Sequence, residues 1–202
     1  MRLTVSPTLV RQSLDGGLTP LTSQHDRALA SRMFRLTAPR VVRPGKSATI
    51  RPYFRGFAGR TAVSAAAVIV ATPLAVRRGG IAYQVRFLAA LLVRRPNLRA
   101  SIPTIVRLHV TRLGPRRVLL SVRTRNSSRA PAFVTDLRLR VTDARGRSLA
   151  SVAAIGGFLL PHSVRDFKAQ LFHRLPPGPL VVEANLRSGA GDIRRSFNLR
   201  LE

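Results

Sequence analysis

The feature that most constrains this chain is a period-two alternation of apolar residues and arginines, cut at short intervals by turn signals. Leu137-Arg138-Leu139-Arg140-Val141 and Leu199-Arg200-Leu201 show it. Successive side chains of a strand point to opposite faces, so such a run buries one face and wets the other. The second half of the chain carries the pattern throughout. It predicts strands over Val106–Leu113, Val118–Arg125, Phe133–Val141, Ser148–Ile155, Val164–Phe172, Leu180–Leu186 and Ile193–Leu201. Between them lie Gly114-Pro115, the loop Asn126–Pro131, Asp143–Gly146, Gly156-Gly157, Pro176–Pro179 and Ser188–Asp192. These stretches are rich in the residues that favour turns. Strands spaced by roughly 8 to 15 residues in this way are the pattern of an immunoglobulin-like sandwich.

The first half is organised around Phe34–Arg51. Two short apolar runs, Arg40–Arg43 and Ser47–Arg51, flank Pro44-Gly45. Proline fixes φ at one turn position and glycine tolerates positive φ at the next, so the stretch reads as strand, tight turn, strand. Asp15-Gly16-Gly17 is a turn signal, and the polar stretch Thr19–Arg32 reads as a loop. Pro52–Arg60 is a second loop, holding Tyr53, Phe54 and Phe57. Val63–Val70 is continuously apolar and reads as a strand buried on both faces. In Ile81–Val93, residues Ile81, Tyr83, Val85, Phe87, Ala89, Leu91 and Val93 share one face, and Gln84, Arg86 and Arg94 the other. No helix of ordinary length is expected. The polar segment Asn97–Pro103 reads as a domain boundary. The predicted fold class is therefore all-β: two immunoglobulin-like β-sandwich domains in tandem, at residues 1–96 and 104–202, joined by a linker at 97–103.

Composition narrows the function. At 202 residues the chain is long enough for two domains of about 100 residues each. It has no cysteine, so disulfides and thiolate zinc sites are excluded. Lys+Arg is 35 against 8 Asp+Glu, and only Lys46 and Lys168 are lysines. Such a charge suits polyanion contact, but the arginines alternate with apolar residues, as they do on solvated strand faces. The longest uncharged run, Thr61–Val76, contains Pro73 and falls short of the roughly 20 apolar residues a membrane helix needs. The N-terminus shows no apolar core of signal-peptide length. His25, His109, His162 and His173 form no close metal-ligand pair. Ser163, Asp166 and His173 are the residue types of a hydrolytic triad, yet no nucleophile elbow surrounds the serine. Gly79-Gly80 and Gly156-Gly157 lack the strand-to-helix context of a phosphate loop and read as sheet turns. The chain is not expected to be an enzyme or to carry a cofactor. Lacking an aromatic stacking platform, it is not expected to bind nucleic acid either.

Several segments, in order, resemble the periplasmic pilus (fimbrial) chaperone family. They are FRLTAPRVVRPGKSATIR at Phe34–Arg51, a strand ending in Thr72-Pro73, IAYQVRFLAALLVRRP at Ile81–Pro96, Asn126 after a strand, and Leu160-Pro161-His162-Ser163. The family's two opening strands have no counterpart before Met1, so the resemblance implies a first domain that lacks them. It leaves Val68, Ile69 and Val70 at an uncovered edge. The resemblance also implies a periplasmic or extracytoplasmic protein that binds pilin-like or other exported subunits by strand addition, with an outer-membrane usher as a further partner. Ile81, Tyr83, Val85, Phe87, Ala89 and Leu91 would form the subunit-binding strand. Near Leu91 the family carries a lysine that anchors the subunit's carboxylate. Here Arg86, Arg94 and Arg95 are the basic residues nearby and the candidate anion contacts. The alternative is a structural or adhesive cell-surface sandwich that binds a polyanionic wall or matrix polymer through its arginine faces.

Overall fold

The computed structural model describes residues 1–74 and 83–201. They are antiparallel sheet with one helix, so the all-β expectation holds. The chain divides into two compact units, Met1–Arg11 with Leu18–Arg95, and Gln12–Gly17 with Pro96–Glu202.

The first unit runs β1 (Arg2–Gln12), β2 (Leu18–Pro20), α1 (Gln24–Met33), β3 (Phe34–Thr37), β4 (Arg51–Phe54), β5 (Ala62–Thr72) and β6 (Val85–Arg94). Four of these strands form a sheet in the order β2-β1-β5-β6. Leu9, Ala65 and Leu91 stand side by side across it, as the register pairs Leu9 with Ala65 and Ala65 with Leu91. Leu9, Val63 and Ala65 form a small core with Ala30, Met33 and Phe34, and Leu91, Val93 and Phe57 pack against it. β5 is rich in alanine, and Ala65, Ala66, Ala67 and Val68 are all buried.

Three expectations for this unit are corrected. First, the predicted loop Thr19–Arg32 contains a helix. The Ser23 hydroxyl accepts from the Asp26 amide at 3.1 Å, and this cap starts α1. Asp26 in the first turn and Arg32 in the last both suit the helix dipole. Second, the Pro44-Gly45 turn forms, with Gly45 at φ +70 and the Lys46 amide donating to the Arg43 carbonyl at 3.2 Å. Its predicted arms do not pair with each other. The ladder forms further out, from Phe34 opposite Phe54 to Thr37 opposite Arg51. The backbone near Val41 goes instead to the chain start: Leu3 donates to Arg40 and Val42 to Met1, both at 2.9 Å. Third, the edge of β5 expected to lie open is filled by β1, paired from Arg2 opposite Thr72 to Leu9 opposite Ala65.

The second unit runs β7 (Thr104–Gly114), β8 (Arg117–Arg125), β9 (Ala132–Asp143), β10 (Ser148–Ala154), β11 (Gly157–Leu159), β12 (Val164–Leu171), β13 (Gly178–Ser188) and β14 (Gly191–Leu201). One sheet has the order β12-β8-β7, the other β10-β9-β13-β14 with β11 also on β9. The inner faces share one core, in which Leu120, Val122, Val134, Leu137, Leu139, Val141, Leu159 and Leu186 are wholly buried. Each such side chain contributes about 1.5–3 kcal/mol. The second strand thus pairs with a later one in one sheet and the third with the following one in the other. The alternation is realised literally: Leu137, Leu139 and Val141 are buried, and Arg138 and Arg140 exposed. Gly156-Gly157 differs from its reading as a plain turn, because Gly157 opens β11. Gly156 lies so close to the Val134 carbonyl that a Cβ would collide with it.

Two side-chain amides, of Asn126 and Gln12, hold the end of this sandwich. Asn126 is fully buried. Its Nδ2 donates to the Ala130 carbonyl at 2.8 Å and to the Leu160 carbonyl at 3.0 Å, while its Oδ1 accepts from the Ser128 amide at 3.1 Å. Gln12 reaches the same region: Nε2 donates to the Phe158 carbonyl at 2.9 Å, and Oε1 accepts from the Leu160 amide and the Ser163 hydroxyl, each at 3.0 Å. Nearby, the Arg165 guanidinium stacks 4.6 Å from the Phe167 ring centroid and donates to the Phe158 carbonyl at 3.0 Å. A Cβ on Gly16 or Gly157 would displace it, and Gly16, at φ +88, also has a backbone conformation that side chains rarely adopt. Burial pushes its pKa below the usual arginine value. Asn126→Ala strands several buried carbonyl and amide groups and is expected to cost about 2–3 kcal/mol. Urea titration should show a lower midpoint with an unchanged slope.

Candidate functional site

β6 ends its sheet: β5 pairs one side of it, and among the described residues nothing pairs the other. It is ten residues long and reads VRFLAALLVR. A long apolar edge of this kind offers a row of free amide and carbonyl groups to another strand. Soluble proteins usually blunt such edges with charge, bulges or proline. Here charge enters only at Arg86 and Arg94.

The predicted strand residues separate along this edge. Val85, Phe87, Ala89 and Leu91 share one face, opposite Ala71, Ile69, Ala67 and Ala65. Leu91 packs against the core and is anchored. Val85 is 41% exposed and Phe87 57%, and Ala89 is exposed as well. Tyr83 precedes the strand and is 71% exposed. Ile81 lies outside the described residues. The strand is therefore held at its Leu91–Val93 end and bare at its Val85–Ala89 end. On the opposite face Leu88, at 37%, is also exposed. Phe87 continues a half-buried apolar row across the sheet through Ile69 and Val5.

The three candidate anion contacts do not converge. Arg86 and Arg94 share the face opposite Phe87 but are eight residues apart, roughly 27 Å at the rise of a strand. Arg86 stands opposite Val70 and Arg94 opposite Ala62. Arg95 lies over the Phe57 ring at 5.4 Å, and its amide donates to the Thr61 carbonyl at 3.1 Å. That ring belongs to an aromatic stack, with Phe54 4.8 Å from Phe57 and 5.3 Å from Phe34. No common carboxylate pocket forms from these three residues.

The residues with catalytic side-chain types are committed elsewhere. Ser163 Oγ donates to the Leu160 carbonyl at 2.8 Å and to Gln12. Asp166 takes a bidentate pair from Arg123, at 2.8 and 2.9 Å. All four histidines are exposed, and no cluster of three metal-ligating side chains occurs among the described residues. No described helix is long and apolar enough to cross a membrane. Comparison with known protein-family models and with curated proteins finds no match for the chain.

The pairing predicts a gradient of backbone protection. β5 is hydrogen-bonded along both edges, whereas every second amide of β6 points away from β5. In hydrogen exchange, Val63–Val70 should be protected at least about 100-fold more than those outward amides of β6. Equal protection along the two strands would mean that β6 is covered in solution.

Proposed function

We propose that the chain is a binding protein, without catalysis of its own, that captures exported protein subunits by strand addition at β6. The observation that carries this reading is the bare Val85–Ala89 segment: an unpaired strand edge with apolar side chains exposed at alternate positions. The occupant that matches it is an incomplete β-sandwich subunit with an open sheet edge beside an apolar groove. β6 would supply main-chain hydrogen bonds to that edge, while Val85 and Phe87 fill successive pockets in the groove. The resemblance of Phe34–Arg51 and Ile81–Pro96 to pilus chaperones points to the same class of partner and to an extracytoplasmic setting. The carboxylate anchor of that family is not part of the proposal, because Arg86, Arg94 and Arg95 stand apart.

Replacing Val85 and Phe87 together by Ser tests this reading. Both side chains are exposed in the free protein, so the melting temperature should change little. Burying each in a groove contributes on the order of 2 kcal/mol, so capture of a pilin-like subunit should weaken by about three decades. Leu91→Ser should instead lower the melting temperature, because Leu91 packs on the core. Unimpaired capture by a folded double variant would overturn the assignment, as would unfolding of that variant.

A further inference from the structure

The outward face of the β12-β8-β7 sheet carries a cluster that strand addition does not use. Arg107 of β7 stands directly opposite Arg123 of β8, and His109 opposite Ser121. On the other side of β8, Asp166 faces Arg123 and Lys168 faces Ser121. Arg107, His109, Ser121, Arg123 and Asp166 line a shallow depression of about 260 Å³. Like charges directly opposite each other in a sheet are unfavourable. Here the pair is retained at the depression, and among the described residues the Arg107 side chain makes no ion pair or hydrogen bond.

Asp166 sets the geometry. Its two oxygens hold Nε and Nη2 of Arg123 at 2.8 and 2.9 Å, and this bond raises the guanidinium's pKa above its usual value. It occupies two of the five N–H donors of Arg123 and leaves three in a fixed plane. With the Arg107 guanidinium, the Ser121 hydroxyl and the His109 ring, the depression presents donors from four side chains and one carboxylate already engaged. The other sheet of the sandwich is different. Three of its outward arginines are matched, Arg138 by Asp136 at 2.9 Å, Arg187 by Asp192 at 3.3 Å and Arg194 by Glu183, while Arg140 and Arg200 have no ion pair among the described residues. What is particular to this face is that two arginines stand directly opposite each other on adjacent strands at a concavity.

We propose that this depression binds a tetrahedral oxyanion group, a phosphate or sulfate ester, with Arg107 and Arg123 as its two guanidinium contacts and Ser121 and His109 as further donors. Planar guanidinium forks suit such oxygens, and a dianion between Arg107 and Arg123 removes their mutual repulsion. The inference is independent of the role of β6.

The test is an amide-resolved NMR titration of the full chain with sodium phosphate, sodium sulfate and sodium chloride at constant ionic strength. Saturable shifts at His109 and Ser121 with phosphate or sulfate, but not chloride, support the site. The tighter of the two identifies the ester class. Arg107→Gln should weaken that binding by about tenfold or more, whereas the charge-matched Arg140→Gln, on the other sheet, should leave it nearly unchanged. Without added anion, Arg107→Gln should melt no lower than the parent, since it removes a like-charge neighbour of Arg123. Added phosphate or sulfate, whichever binds tighter, should raise the melting temperature of the parent more than that of the variant. Equal weakening by Arg107→Gln and Arg140→Gln, or unsaturable shifts spread over all arginine-bearing strands, would overturn the proposal.

Discussion

The need to keep arginine wet shapes this molecule more than any other constraint. With 35 basic residues and only 8 acidic ones, few guanidinium groups can be paired, so nearly all must reach water. A strand does this at no cost to its core, since adjacent residues leave the backbone on opposite sides. β9 shows the result, with leucines in the sandwich and arginines outside it. Arg165 is the instructive exception. It is half-buried, its Nε lacks a hydrogen-bond partner, and it lies against two glycines and a phenylalanine ring.

The second unit was legible in the sequence because its strands obey that rule and its turns are chemically marked. Each predicted strand from Val106 to Leu201 lies within a residue or two of the observed one, apart from the short β11. That strand begins at a glycine pair, where turn chemistry and close backbone approach give the same signal. The first unit was less legible. α1 has little amphipathic character to advertise it, and its clearest mark is the capping pattern of Ser23 with Asp26. The Pro44-Gly45 turn is legible in the sequence, but a turn fixes only its own four residues. Which strands it joins was decided by β1, whose first residues took the backbone groups near Val41.

The candidate sites divide in the same way. Periodicity assigns Val85, Phe87, Ala89 and Leu91 to one face, but it cannot say which part of that face is covered. α1 and the β3–β4 hairpin make the difference: they supply core to Leu91 and none to Val85. Register matters still more for Arg107 and Arg123. They are 16 positions apart in sequence, and only the pairing of β7 with β8 makes them neighbours. The bulges in that pairing, between Ile105 and Arg107 and between Arg112 and Gly114, follow no simple sequence pattern.

The place of Gln12–Gly17 has a consequence for biosynthesis. These residues belong to the second unit, although Leu18–Arg95 of the first unit separates them from the rest of it. The Phe158 carbonyl that receives the Gln12 side chain lies 146 residues later. At ordinary translation rates the early segment waits on the order of ten seconds for its binding site to leave the ribosome. Vectorial synthesis therefore delivers all of the first unit while Gln12–Gly17 still lacks the rest of the second. The sandwich closes last, around a segment made among the first.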